Sequence, residues 1–151
     1  LLAVCEGNEG RAGARGNTPG GGRIHVLRKG DQAWLSVALI PLPSSLDFKD
    51  YSALALRGDR LVVVSQKSAR LWIGTLRLKD WTIRGDGRTY DFPRNEKGKR
   101  LYCTVEGVDW LADNSFVMVS DKCKKGYPDR CGRTDQSNHI FRLSGTRATT
   151  S

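Results

Sequence analysis

Residues 51–66, YSALALRGDRLVVVSQ, and residues 106–121, EGVDWLADNSFVMVSD, align without a gap over sixteen positions. Each reads as a mainly apolar segment, a polar turn and a β-branched run. The turn is Gly58-Asp59 against Asp113-Asn114, and the run is Leu61-Val62-Val63-Val64 against Phe116-Val117-Met118-Val119. Two such runs joined by so short a Gly/Asp/Asn turn are the signature of a β-hairpin. The gapless match pairs Tyr51 with Glu106, Ala55 with Trp110 and Gln66 with Asp121. The stretch Leu1 to Glu6 matches Leu61 to Gln66 and so repeats the second half of the unit. A third strand is predicted after each copy, at 22–27, 69–74 and 138–143, and fourth strands at 34–42 and 81–92.

Cys5, Ser65 and Ser120 fall at equivalent positions, 60 and 55 residues apart. Four antiparallel strands recurring at such intervals describe blades of a β-propeller, although the common propeller families repeat every ~40–50 residues. The surplus lies in 7–22 and 122–137, where Gly and Pro punctuate and no apolar period survives. The Gly-rich stretch 7–22 reads as a mobile surface loop or contact arm. The predicted fold is therefore all-β, a partial β-propeller of about two and a half four-stranded antiparallel blades. Residues 1–43 form an incomplete blade, 44–93 a complete one and 94–143 another incomplete one, with 144–151 a flexible polar tail. Closed propellers hold about four to eight blades, so the stretch reads as a segment of a larger propeller, with six blades as one closure. An open sandwich is the architectural alternative.

Composition narrows the function classes. The chain has 151 residues and a formal net charge of +9. That length fits one ordinary domain. No apolar run approaches the ~20 residues that span a bilayer. The positive excess suits a polyanion, RNA or an anionic surface. Its cations cluster at Arg94, Lys97, Lys99 and Arg100, and at Lys122, Lys124 and Lys125, with Arg130 and Arg133 beyond. Neither cluster is interleaved with the aromatics that stack on bases, and solvated loops are the plain alternative.

Four cysteines occur and none forms a C-x-x-C pair, which excludes a zinc ribbon and a thioredoxin-like motif. Cys123 and Cys131 flank a short loop holding Gly126 and Pro128. A disulfide between them would indicate an oxidising compartment, and two reduced thiols is the alternative. The G-x-S-x-G nucleophile elbow is absent, and the Gly-rich stretch lacks the G-K-[ST] of a phosphate loop. His25 and His139 fit alternating side chains of half-exposed strands. Trp72 and Trp110 suit the core, while Trp34 and Trp81 sit in outer strands where a ring could stack on a sugar.

One constellation remains. Glu6, Gln66 and Asp121 end equivalent strands, and Glu106 begins the strand beside the one that ends in Asp121. On a propeller, Glu6, Glu106 and Asp121 would ring one mouth of the central channel. Clustered carboxylates repel, and a hard cation with oxygen ligands, calcium above all, offsets that cost. The plain alternative is that these groups cap strand ends and accept from turn amides.

The segments Leu1-Leu2-Ala3-Val4-Cys5-Glu6-Gly7-Asn8, Tyr102-Cys103-Thr104-Val105-Glu106-Gly107-Val108, Val119-Ser120-Asp121-Lys122 and Asp135-Gln136-Ser137-Asn138-His139-Ile140-Phe141 carry a resemblance. They resemble an uncharacterised plant and algal β-propeller family and, more distantly, bacterial propellers of the phytase-esterase-like and SdiA-regulated type. The resemblance implies a propeller fold and a secreted or lumenal location, which favours a disulfide. In the esterase-like relatives an acidic rim supports hydrolysis by metal-activated water. This chain departs from that pattern in its middle copy, where Tyr51 and Gln66 stand for the Glu and the Asp. The leading expectation is thus a non-enzymatic interaction module that binds a protein partner within a larger assembly or extracellular complex. The alternatives are a calcium-assisted phosphoesterase or esterase, and contact with RNA or an anionic surface through the basic loops.

Overall fold

A computed structural model describes residues 1–143; the tail 144–151 lies outside the described residues, as does the side chain of Arg130. Among the described residues, ten strands form three antiparallel sheets. The first sheet holds β1 (Leu2–Val4), β2 (Arg23–Lys29) and β3 (Trp34–Pro41). The middle sheet holds β4 (Ala53–Arg57), β5 (Arg60–Ser65), β6 (Arg70–Arg77) and β7 (Thr82–Asp91). The third holds β8 (Val105–Ala112), β9 (Ser115–Ser120) and β10 (Asn138–Arg142). Each sheet is a meander in which consecutive strands pair. The chain is all-β, and its three sheets do not close on one another.

Two hydrophobic layers hold the sheets face to face. Ile24, Val26 and Ile40 of the first sheet meet Leu61, Val63, Trp72 and Leu76 of the middle one. On the other face, Val62, Val64 and Leu71 meet Val105, Phe116, Met118 and Phe141 of the third sheet. Because β5 is covered on both faces, it reads as the unbroken run Leu61-Val62-Val63-Val64 rather than an alternation. Trp72 lies across the backbone of its own sheet: its indole N–H donates to the Asp86 carbonyl at 2.7 Å. A Cβ on Gly74 would stand 2.1 Å from that ring, so this position has room only for glycine.

The two hairpins of the repeat are both present, but the gapless match is off by one residue along most of β8. Leu56 pairs with Leu61 in the middle sheet, whereas Trp110 pairs with Phe116 in the third. Register breaks at Glu106 and at Leu111 account for the difference. Each inserts a single residue as a β-bulge. Trp110 is therefore the counterpart of Leu56, not of Ala55, and Glu106 has no counterpart at Tyr51. Leu111 is left 56% exposed.

Both long loops also differ from expectation. The 7–22 stretch is folded against the protein through two 3-10 turns, at Asn8–Gly10 and Gly13–Asn17. Its anchor is Asn8, 1% exposed, whose amide donates to the carbonyls of Gly16 and Phe48 and whose oxygen accepts from Gly21 N–H and the Tyr51 hydroxyl. An arm held by four hydrogen bonds on one buried side chain is not a free loop. In the 122–137 stretch the disulfide joins Cys131 to Cys103, with Cα atoms 5.5 Å apart, and Cys123 is free. The short helix α1 (Asp129–Gly132) turns Cys131 inward to 1% exposure, whereas Cys123 N–H is held by Asp135 at the base of the loop. Among the described residues, no helix is long and apolar enough to cross a membrane.

Candidate functional site

The ends of β1, β5 and β9 deliver Glu6, Gln66 and Asp121, and the bulge in β8 delivers Glu106. They do not converge as one ring. Glu6 and Glu106 share a cleft of about 360 Å³ with Tyr51, Gln66 and Lys124. Glu106 and Asp121 share another of about 370 Å³ with Ser120, Gln136 and Asn138. The Gln66 amide donates to Glu106 Oε1 at 3.2 Å, and Lys124 supplies a positive charge beside the two glutamates. Among the described residues, no group of three His, Cys, Asp or Glu side chains comes close enough to hold a metal ion. The arrangement does not fit calcium at Glu6, Glu106 and Asp121.

Beneath this rim lies a carboxylate that the sequence did not single out. Asp50 is 1% exposed. Its Oδ1 accepts from the Ser65 hydroxyl at 2.5 Å and from Lys67 N–H at 3.0 Å, while Oδ2 is buried without a partner. Burial raises its pKa above the ordinary 3.8, and the charge of Glu6 adds to the rise; the bonds from Ser65 and Lys67 and the Lys67 charge oppose it. The neighbouring Tyr51 is pushed up to about 12, by burial first and by the Asp50 charge second. Its hydroxyl thus stays protonated and keeps donating to Asn8. Asp50 and Tyr51 link the acidic rim to the anchored 7–22 loop. A single Asp ahead of a strand carries no motif, so only the fold reveals it.

The histidines sit in their predicted strands. His25 Nδ1 lies 2.9 Å from Ser36 Oγ on an exposed face. His139 Nε2 lies 3.0 Å from Ser120 Oγ and 3.2 Å from the Thr134 carbonyl. A carbonyl only accepts, so with a proton on Nε2 the ring donates to Thr134, and in the other tautomer Nε2 accepts from the Ser120 hydroxyl. The His139 ring packs edge-on against the Tyr102 ring at 4.7 Å.

The basic residues fold into local turns. Arg94 and Arg100 form a bridge pair. The Arg94 guanidinium donates to the Gly98 carbonyl and that of Arg100 to the Lys67 carbonyl. Asn95 Oδ1 accepts from Lys97 N–H and Lys99 N–H, which tightens the same turn. The side chains of Lys97, Lys99, Lys122, Lys124 and Lys125 are exposed.

The tryptophans divide as their strands suggest. Trp72 is core. Trp110 lies between the middle and third sheets, with Arg60 over its ring at 4.6 Å and its N–H 3.4 Å from the Ala55 carbonyl. Trp34 is 54% exposed, and Trp81 is half-buried with a left-handed φ of 56°.

The sequence did not anticipate the apolar surface of the outer sheets. On β3, Leu39 is 46% exposed on the face turned away from the middle sheet; Val37, the extra residue of a β-bulge, is 44% exposed, and Leu35, opposite Arg28 beyond that bulge, is 53% exposed. On the third sheet the outward positions Val119 and Ile140 are 47 and 60% exposed. The apolar residues of β3 are visible in the sequence, but alternation alone says neither whether a face is covered nor where a bulge shifts its phase. Comparison of the chain with protein-family models, with curated proteins and with solved structures gives no match.

Proposed function

We propose that the chain is a non-enzymatic interaction module: blades of a larger β-propeller that bind a protein partner through the outward faces of the first and third sheets. The observation that carries this reading is the contrast between sheets. Strands β5 and β6 of the middle sheet are buried on both faces, whereas the neighbouring sheets bury one face and leave Leu39, Val119 and Ile140 bare on the other. Covering a Leu or Ile side chain is worth about 1.5–3 kcal/mol, which makes such faces contact surfaces. The Cys103–Cys131 bridge favours a secreted or lumenal setting. The motif resemblance to the plant and algal propellers agrees with the face-to-face stacking of one four-stranded and two three-stranded meanders.

The test is substitution of the bare faces in the native assembly. Leu39→Lys and Ile140→Lys should each release the chain to a smaller particle on size-exclusion chromatography, with an unchanged circular-dichroism melt. Retention of both variants at the original size would contradict the reading. A calcium titration separates it from the esterase alternative. The melting temperature should not respond to calcium, and a rise that Glu106→Ala abolishes would restore the metal site.

A further inference from the structure

The two basic segments of the sequence are far apart in the chain and meet in the fold. The first, 94–101, connects the middle sheet to the third; the second, 121–135, connects β9 to β10. Cys103, just beyond the first segment, is bridged to Cys131 in the second, with Cα atoms 5.5 Å apart. The Thr134 hydroxyl donates to the Leu101 carbonyl at 2.7 Å, so Arg100 and Arg133 flank a single hydrogen bond. A further tie lies at the sheet end. Asp121 N–H donates to the Thr104 carbonyl at 2.9 Å, and the Thr104 hydroxyl to the Asp121 carbonyl at 2.7 Å. Continued by one residue, that antiparallel register sets Cys103 opposite Lys122.

Each segment is also stiff on its own. Asn95 Oδ1 holds the N–H groups of Lys97 and Lys99, and Asp135 Oδ2 holds Cys123 N–H. Lys97, Lys99, Lys122, Lys125 and Arg133 are exposed. Lys124 lines the cleft of Glu6 and Glu106 and is not counted with them. The segments carry the carboxylates Glu96, Asp121, Asp129 and Asp135, fewer than their cations. Cations held together by a covalent bridge repel one another, and a polyanion relieves that repulsion while releasing counterions. Loops already fixed lose little freedom on binding.

We propose that the two segments form one binding surface for an acidic polysaccharide, and that the Cys103–Cys131 bridge assembles it. The bridge belongs to oxidising, extracellular settings. A nucleic-acid strand needs several rings for its successive bases. The segments hold one aromatic, Tyr127, 41% exposed, which suits the face of a single sugar ring. A membrane surface needs an apolar row beside the cations, and Leu101 is the one Leu, Ile, Val or Met in the two segments.

The surface shares no residue with the Leu39 and Ile140 faces, so this proposal and the assembly reading can fail separately. The probe is a fluorescein-labelled heparin octasaccharide, titrated into the oxidised 151-residue chain at two salt concentrations. Saturable binding is expected, and it should weaken steeply with salt. Lys97→Glu with Lys99→Glu reverses one segment, and Lys122→Glu with Lys125→Glu the other. Each pair should weaken binding about tenfold or more, because one glycan strand spans both segments. Arg28→Glu with Lys29→Glu makes the same change of charge at the exposed end of β2 and should leave affinity within about twofold. Opening the bridge with a phosphine reductant, below the melting temperature of the reduced chain, should weaken binding about tenfold. Absence of saturable binding, a loss confined to one segment, an equal loss from the Arg28 and Lys29 pair, or indifference to opening the bridge each overturns the proposal. So does tighter binding of a uridine octanucleotide than of heparin at equal salt, because the surface would then serve nucleic acid.

Discussion

Asp50 and Asn8 show how two buried polar side chains organise one end of the molecule. The raised pKa of Asp50 fixes a sign. Stability from this group is fully present below its ordinary 3.8 and is lost as the pH rises through the higher folded value. Asp50→Asn keeps an acceptor for Ser65 and Lys67 but removes the buried charge. Chemical denaturation should therefore show a flatter dependence of unfolding free energy as the pH rises above 3.8, with the variant gaining on the wild type as it does so. An unchanged slope would mean that Asp50 does not carry it. Asn8→Ala strands the Gly16 and Phe48 carbonyls, Gly21 N–H and the Tyr51 hydroxyl, and should cost roughly 2–4 kcal/mol. Faster proteolysis within 7–22 is expected beside that loss. Gly74→Ala drives a methyl into the Trp72 ring and should cost roughly 1–3 kcal/mol in urea unfolding, with altered Trp fluorescence.

At the scale of elements, the repeat was legible because a hairpin writes itself locally: two apolar runs and a two-residue polar turn. All ten strands lie where the runs predicted them, within a residue or a few at their ends. The bulges at Glu106 and Leu111 were not legible. An extra strand residue changes no composition and makes no pattern of its own, yet it moves Trp110 to the other face and re-aims Glu106. That is why a sequence-level ring of Glu6, Glu106 and Asp121 becomes two separate clefts. The disulfide was misassigned for a related reason. Proximity in sequence favoured Cys123, while the partner of Cys131 is set by the turn of α1 and lies 28 residues away. Cross-linking over that separation is worth about 3–4 kcal/mol in the chain-entropy account. Reduction should therefore lower the unfolding midpoint, and alkylation without reductant should label only Cys5 and Cys123. Labelling of Cys103 in the unreduced protein would contradict the pairing.

For the whole molecule, a net charge of +9 drew attention to anionic partners, yet the cations are spread through local turns and one of them, Lys124, faces glutamates. For the protein interface the informative surface is apolar. Whether a strand face is covered depends on what stacks on it, and no property of the strand itself records that. The same logic explains why the unbroken apolar run of β5 marks a strand covered on both faces, while the bare faces of the neighbouring sheets emerge only from the stacking. The account rests on these faces being sites of contact. The most direct measurement is hydrogen exchange by mass spectrometry on the chain alone and in its native assembly. Slower exchange in the assembly is predicted at β3 and at β9–β10, with β5 and β6 unchanged because they are already covered. Equal exchange in both samples at β3 and β9–β10 would contradict the account.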